Sequence, residues 1–205
     1  MDLRRIRERS LEHARNLGCR AGEHLPLLDP DLALRPLEQI VGRQLCLFVT
    51  AASAYGFDRS RAVIWVETER LGGALLDDER RFLQTGEGDE DRFKTRIEGL
   101  WALAWTVSMV GEIEFDRPCS DRFVEMFPSL TAGETSEAFR RRASRRPFEE
   151  VVATADLAYC LHWAAKDAWL LGEPCPVNLA AITERRRALD WVLMDLAWDE
   201  VPTDT

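Results

Sequence analysis

Residues 97–113, IEGLWALAWTVSMVGEI, restrict this chain more than any other stretch. Between Leu100 and Val110 only Thr106 and Ser108 are polar. A helix that is apolar on every side must be surrounded by other elements rather than laid on a surface. The apolar part is about 16 Å long at the usual helical rise, roughly half the hydrocarbon thickness of a bilayer. It is therefore expected to be the central helix, about 97–113, of an all-α, single-domain multi-helix bundle spanning residues 1–205.

Size and composition allow this. A chain of 205 residues buries roughly 70% of its unfolded surface and needs no disulfide or metal staple. Hydrophobic residues make up 46% and charged residues 31%, ordinary for a globular protein. Four of the seven tryptophans, Trp101, Trp105, Trp163 and Trp169, fall on the two helices expected to be most buried. The net charge of −9 opposes general binding to nucleic acid or an anionic membrane, because both attract basic surfaces. One basic run, Arg140, Arg141, Arg142, Arg145 and Arg146, reads as a solvated helix end or as a docking patch for an acidic partner.

The five cysteines are scattered and form no C-x-x-C pair. That argues against a disulfide framework or a zinc site and suits a reducing cytosol. No apolar run follows the arginines at 4, 5 and 7, so neither a signal peptide nor a spanning segment is expected. The predicted location is cytoplasmic.

Helices are predicted over 3–17, from Pro36 to Gly56, from Asp58 to about Leu71, and at 77–84. An exposed loop at 85–92 precedes the central helix, which begins near Asp91. A short helix follows Ser120, and others run from about 136 to 143, from Pro147 to Leu171, and from Asn178 to about Leu196. The leucines of the 19–35 linker should pack on the core.

Several strings then combine: EHLPLL (23–28), LRPLEQIVGRQL (34–45), LDDERRFL (76–83), EGLWALAWTVSMVGEI (98–113), ADLAYCLHWAAKDAWLLG (155–172), TERRRALDWVL (183–193) and WDEVPTDT (198–205). Together they resemble the bacterial family catalogued as domain of unknown function 4272, across nearly the whole chain. Two departures are Cys160, where the family pattern suggests a basic residue, and Asp190, where it suggests Asn. The resemblance implies a cytosolic helical protein and carries no activity with it.

Polar residues recur on two otherwise apolar helices. Asp156, Tyr159, Trp163 and Lys166 share one face of the long helix, with His162 to its side. A carboxylate, a tyrosine and a histidine in one place can do acid–base work or bind a metal. They can equally form the hydrogen-bonded seam of a helix interface. Arg185 falls within the apolar face of the last helix, made by Ile182, Leu189, Val192, Leu193 and Leu196. A guanidinium aimed at a core must find an anion, and the candidates are Glu98, Asp156, Asp199 and Asp204. The expected partner is Glu98 or Asp156, tying three helices together as a registry device or as the floor of an anion-binding or catalytic pocket.

No P-loop, H-E-x-x-H or G-x-S-x-G motif is present. Three dispersed histidines do not make a multi-histidine metal site. A carboxylate site from Glu98, Asp156 and Glu184 is conceivable, but no cofactor or metal is expected. Two readings remain. One is an interaction, accessory or immunity-like module that binds another protein through an acidic surface and the loops at 85–92 and 128–147. The other is a small-molecule binder or enzyme with a polar pocket from segments 156–167 and 184–191. That pocket would be lined by Asp156, Tyr159, His162, Glu184, Arg185 and Trp191.

Overall fold

The computed structural model describes residues 1–203, and every regular element among them is helical. α1 (Leu3–Asn16) begins on Asp2, whose carboxylate accepts the amides of Arg4 and Arg5. α2 (Leu37–Ala54) follows Pro36, and α3 (Arg59–Thr68) is capped by Asp58. α4 (Asp77–Thr85) carries three acidic residues in its first turn, where they complement the helix dipole. α5 (Glu90–Thr95) and α6 (Ile97–Thr106) come next. A 3₁₀ turn at Asp121–Met126 precedes α7 (Glu137–Arg142), α8 (Phe148–Leu171) and α9 (Leu179–Leu193). No helix among the described residues is long and apolar enough to cross a membrane.

The spatial order differs from the chain order. α1 packs on α8, α8 on α9, and α9 on α6. α6 then packs on α2, and α3, α4 and α5 gather around α2. α6 and α9 thus occupy the middle of the row. Leu100, Ala102, Leu103 and Ala104 of α6 meet Ile182, Ala188, Leu189 and Val192 of α9 within one core, all fully buried. Gly99 permits this close crossing, since a Cβ there would stand 3.1 Å from the Glu184 carbonyl oxygen.

The central helix is shorter than its apolar pattern. The predicted 91–113 element divides at Arg96 and stops at Thr106. At the division Arg96 is 3% exposed and turns its guanidinium back to Asp78 and Glu79 of α4. At the stop Ser108 takes φ +60. The Met109 amide donates to the Ala104 carbonyl and the Ser108 amide to that of Trp105, a left-handed cap that usually employs glycine. Arg146 completes the end by donating to the carbonyls of Trp105, Val110 and Gly111 while stacking on Trp105. It therefore leaves the supposed basic patch, whereas Arg141 and Arg145 stay exposed. α3 ends the same way on Arg70 at φ +57, earlier than the glycines at 72 and 73 suggest.

Other ends also shift. α9 stops at Leu193, so Leu196 lies beyond the helix and is exposed. In the 19–35 linker Leu25, Leu28, Leu32 and Leu34 pack on the core, and Leu27 does not. The tryptophan pattern holds for Trp101 and Trp105 but fails for Trp169, which is 67% exposed. α8 has 24 residues, while α1 and α9 beside it have 14 and 15, so its final turn goes uncovered.

A non-glycine residue held left-handed costs roughly 1–2 kcal/mol, partly offset in the glycine variant by chain entropy. Ser108→Gly and Arg70→Gly should each stabilise the fold by up to about 1 kcal/mol, read as a raised urea midpoint with an unchanged slope. A lowered midpoint would show that the native side chains contribute more than their backbone costs.

Candidate functional site

Of the carboxylates available to it, Arg185 takes Glu98. Its Nε and Nη2 both donate to Glu98 Oε2, at 2.9 and 2.5 Å. Nη1 donates to the Glu114 carbonyl and Nη2 also to that of Arg117, at 2.5 and 2.6 Å. The guanidinium lies over Trp101 at 4.6 Å. Glu98 Oε1 accepts the Cys119 amide at 3.1 Å. One ion pair therefore joins α6, α9 and the 114–119 connection. Asp199 is exposed, and Asp204 lies outside the described residues.

Asp156 is taken instead by Arg7 of α1, a residue that the sequence analysis did not single out as a partner. Arg7 Nε and Nη2 grip both carboxylate oxygens at 2.7–3.2 Å, and its remaining donors reach the carbonyls of Leu25 and Pro26. Tyr159 lies between two cations, with Arg7 5.6 Å and Arg186 4.7 Å from its ring centre. Arg186 also donates from Nε to Asp190 Oδ2 at 3.1 Å. Its Nη1 meets His162 Nδ1 at 2.9 Å. Arginine can only donate, so His162 accepts through Nδ1 and carries its proton on Nε2.

Burial pushes the His162 imidazole down to about 4, with the cations of Arg186, Lys166 and Arg187 adding to the effect. Burial pushes the Asp190 carboxyl up to about 6, against the pull of Arg186. Asp190 Oδ1 is buried without a hydrogen-bond partner among the described residues.

The proposed seam is thus two networks on different interfaces, not one cluster. Arg7, Asp156, Tyr159, Arg186, His162 and Asp190 lie where α8 meets α1 and α9. Glu98 and Arg185 lie where α6 meets α9. The carboxylate triad of Glu98, Asp156 and Glu184 is not assembled: Glu98 and Asp156 serve different arginines, and Glu184 approaches Arg187 at 3.5 Å. Among the described residues no group of three or more His, Cys, Asp or Glu could hold a metal ion. Trp163 meets His24 edge-on, and Trp191 carries Arg35 at 4.2 Å.

Of the predicted site residues, Glu98 alone lines the open space beside the ion pair. A pocket of about 470 Å³ lies between α2, α6 and the 118–124 segment. Phe48, Ala51, Ala52, Leu100, Pro118 and Val124 form its apolar walls, with Glu98 set among them. A second space of about 410 Å³ adjoins it through Tyr55, Ile97, Glu98 and Pro118, and carries Lys94, Asp116 and Arg117. Tyr55 is 64% exposed at the junction. Sequence reasoning missed these walls because they come from three separated segments, one of them irregular. It also missed Arg186, although position 186 falls beside Ile182, Leu189 and Leu193 on the helical wheel and carried the same signal as Arg185.

Comparison with known proteins places the chain in a family. Residues 6–201 match the family described as Domain of unknown function (DUF4272), and the chain belongs to it. Neither curated proteins nor solved structures returned a match.

Breaking a buried pair from one side costs about 3–5 kcal/mol, because an uncompensated charge stays behind. Glu98→Ala and Arg185→Ala should each lose about that much, Arg185→Ala the more, since it also strands the Glu114 and Arg117 carbonyls. The double variant Glu98→Leu/Arg185→Met should lose less than the sum, as judged by urea unfolding. Strict additivity would show that the pair is uncoupled.

The two buried titrations oppose one another. Asp190 is raised from 3.8 to about 6, so its contribution is full below 3.8 and is lost as pH rises through 6. His162 is lowered from 6.5 to about 4, so its contribution is full above 6.5 and is lost as pH falls through 4. Relative to the parent, Asp190→Asn should gain stability as pH rises from 4 to 6. Conversely, His162→Gln should lose stability relative to the parent as pH rises from 4 to 6.5. Unfolding curves at four pH values within this window decide it, and parallel pH profiles for all three proteins would refute both assignments.

Proposed function

We propose that this protein binds a small molecule in the pocket beside Glu98, rather than in the region of segments 156–167 and 184–191. The observation that carries this reading is the placement of one carboxylate among apolar walls at a largely preformed pocket. Binding sites for small ligands commonly combine such walls with a few placed polar groups. The acid–base residues of α8 and α9 are instead spent on one another, which favours binding over catalysis.

The chemistry of the pocket selects the ligand. Both Arg185 bonds fall on Glu98 Oε2, and Oε1 accepts a single amide. A carboxylate oxygen can accept a second donor. The matching molecule has an apolar body and one N–H or O–H head group, with an amine preferred because charge-assisted hydrogen bonds are the stronger.

The test is a pair of fragment sets with the same aromatic bodies, one bearing primary amines and the other carboxylates. Amines should raise the melting temperature saturably, since a ligand that binds only the folded state stabilises it, and carboxylates should not. Ala52→Trp, which fills the cavity, should weaken amine binding at least tenfold without unfolding the chain. Equal responses to both sets, or binding unaffected by Ala52→Trp, would defeat the reading.

A protein-interaction role is favoured by a different observation. Trp169, Leu170 and Leu171 at the end of α8 are each about two-thirds exposed, and tryptophan is prominent among interface anchors. Trp169→Ala leaves the pocket intact, so amine binding by that variant separates the two surfaces.

A further inference from the structure

Cys19 and Cys175 are 156 positions apart in sequence, yet their sulfurs stand 3.9 Å apart. All five cysteines are thiols in this structure. Both backbones of the pair are held. Cys19 is fixed by the cap of α1, where its amide donates to the Ala14 carbonyl at 2.8 Å and Gly18 takes φ +82. Cys175 lies between Pro174 and Pro176 in the α8–α9 connection, anchored by Val177 at 3% exposure. Arg20 and Glu173 approach at 3.4 Å alongside.

We infer that Cys19 and Cys175 are an oxidation site, closing to a disulfide on exposure to a peroxide. A disulfide requires sulfurs about 2.05 Å apart, so the two must close by roughly 1.9 Å, within reach of side-chain rotation and a small loop shift. The other cysteines are less suited. Cys46 and Cys160 are fully buried, and Cys119 lies in the pocket wall on the 114–119 connection.

The half-buried Cys175 sulfur attacks one oxygen of hydrogen peroxide, the O–O bond breaks, and a sulfenic acid forms with release of one water. Cys19 then attacks the sulfenic sulfur. The S–O bond breaks, and hydroxide leaves with the Cys19 proton as a second water. The two thiols are oxidised by two electrons, and the peroxide is reduced. Burial first, and then the neighbouring Cys175, push the Cys19 thiol up to about 12. At 4% exposure Cys19 also meets peroxide less readily than the half-buried Cys175, and it reacts second.

The bond would tie the end of α1 to the loop joining α8 and α9, close to the exposed end of α8. It rests on nothing in the pocket. The test treats the full chain with a small excess of hydrogen peroxide, alkylates the remaining thiols, and maps non-reduced peptides by mass spectrometry. Expected are a Cys19–Cys175 linked peptide, a loss of two mass units from the intact chain, and a melting temperature raised by several degrees that a dithiol reverses. Cys175→Ser should abolish all three. Cys19→Ala should leave a Cys175 sulfenic acid that a dimedone probe traps, so the order of reaction is read separately from the link. Two fully alkylatable thiols after treatment, or a link between Cys175 and another cysteine, would overturn the inference.

Discussion

A guanidinium with no exposed surface, Arg185, sits where α6 and α9 cross, and the packing around it depends on that charge being answered. Glu98 supplies the charge, the Glu114 and Arg117 carbonyls take the remaining donors, and Trp101 covers the flat face. The partners come from two parts of the chain, α6 and the 114–119 connection. The ion pair is thus less a source of net stability than a statement of register, since a well-packed apolar replacement of a buried pair is often no less stable. Gly99 allows the approach, and Glu98 beside it uses the resulting proximity.

The same device recurs. Arg35 covers Trp191, Arg43 covers Trp198 and Arg146 covers Trp105, at 4.2–5.0 Å, and each also donates to backbone carbonyls. Arginine suits this task because a planar, weakly hydrated cation can stack on an indole while its edge bonds to oxygen. A lysine can do only one of these at a time. The sequence has two lysines, Lys94 and Lys166, against many arginines. That imbalance suits the interior arginines, which close helix ends and stack on indoles, while others such as Arg4, Arg9 and Arg81 stay on the surface.

Helix positions were legible because caps and prolines announce them, as at Asp58, Pro36, Pro147 and Gly172. The ends at Ser108 and Arg70 were not, because a left-handed residue without glycine carries no local signal. Arg185 was legible as a buried cation because it interrupts an apolar face. Its choice of Glu98 over Asp156 was not, since that depended on Arg7 reaching Asp156 from the first helix. Periodicity reports what one helix presents and is silent about which other element meets it. The pocket was hidden for the same reason: its walls are unremarkable alanines, a phenylalanine and a proline until three segments converge.

The position of α9 bears on how the chain is made. Domains tend to fold from the N-terminus during synthesis, but here the element packed on both α6 and α8 comes later in the chain than either. Until residues 179–193 emerge, Leu100 and Leu103 lack part of their cover, and Glu98 lacks the cation that answers it. α6 and α8 therefore cannot complete this part of the core until α9 has been made. Contacts of such large sequence separation are late and slow to form. The contacts that Arg185 makes with Glu98 and with the Glu114 and Arg117 carbonyls can form only once the chain has been made through residue 185.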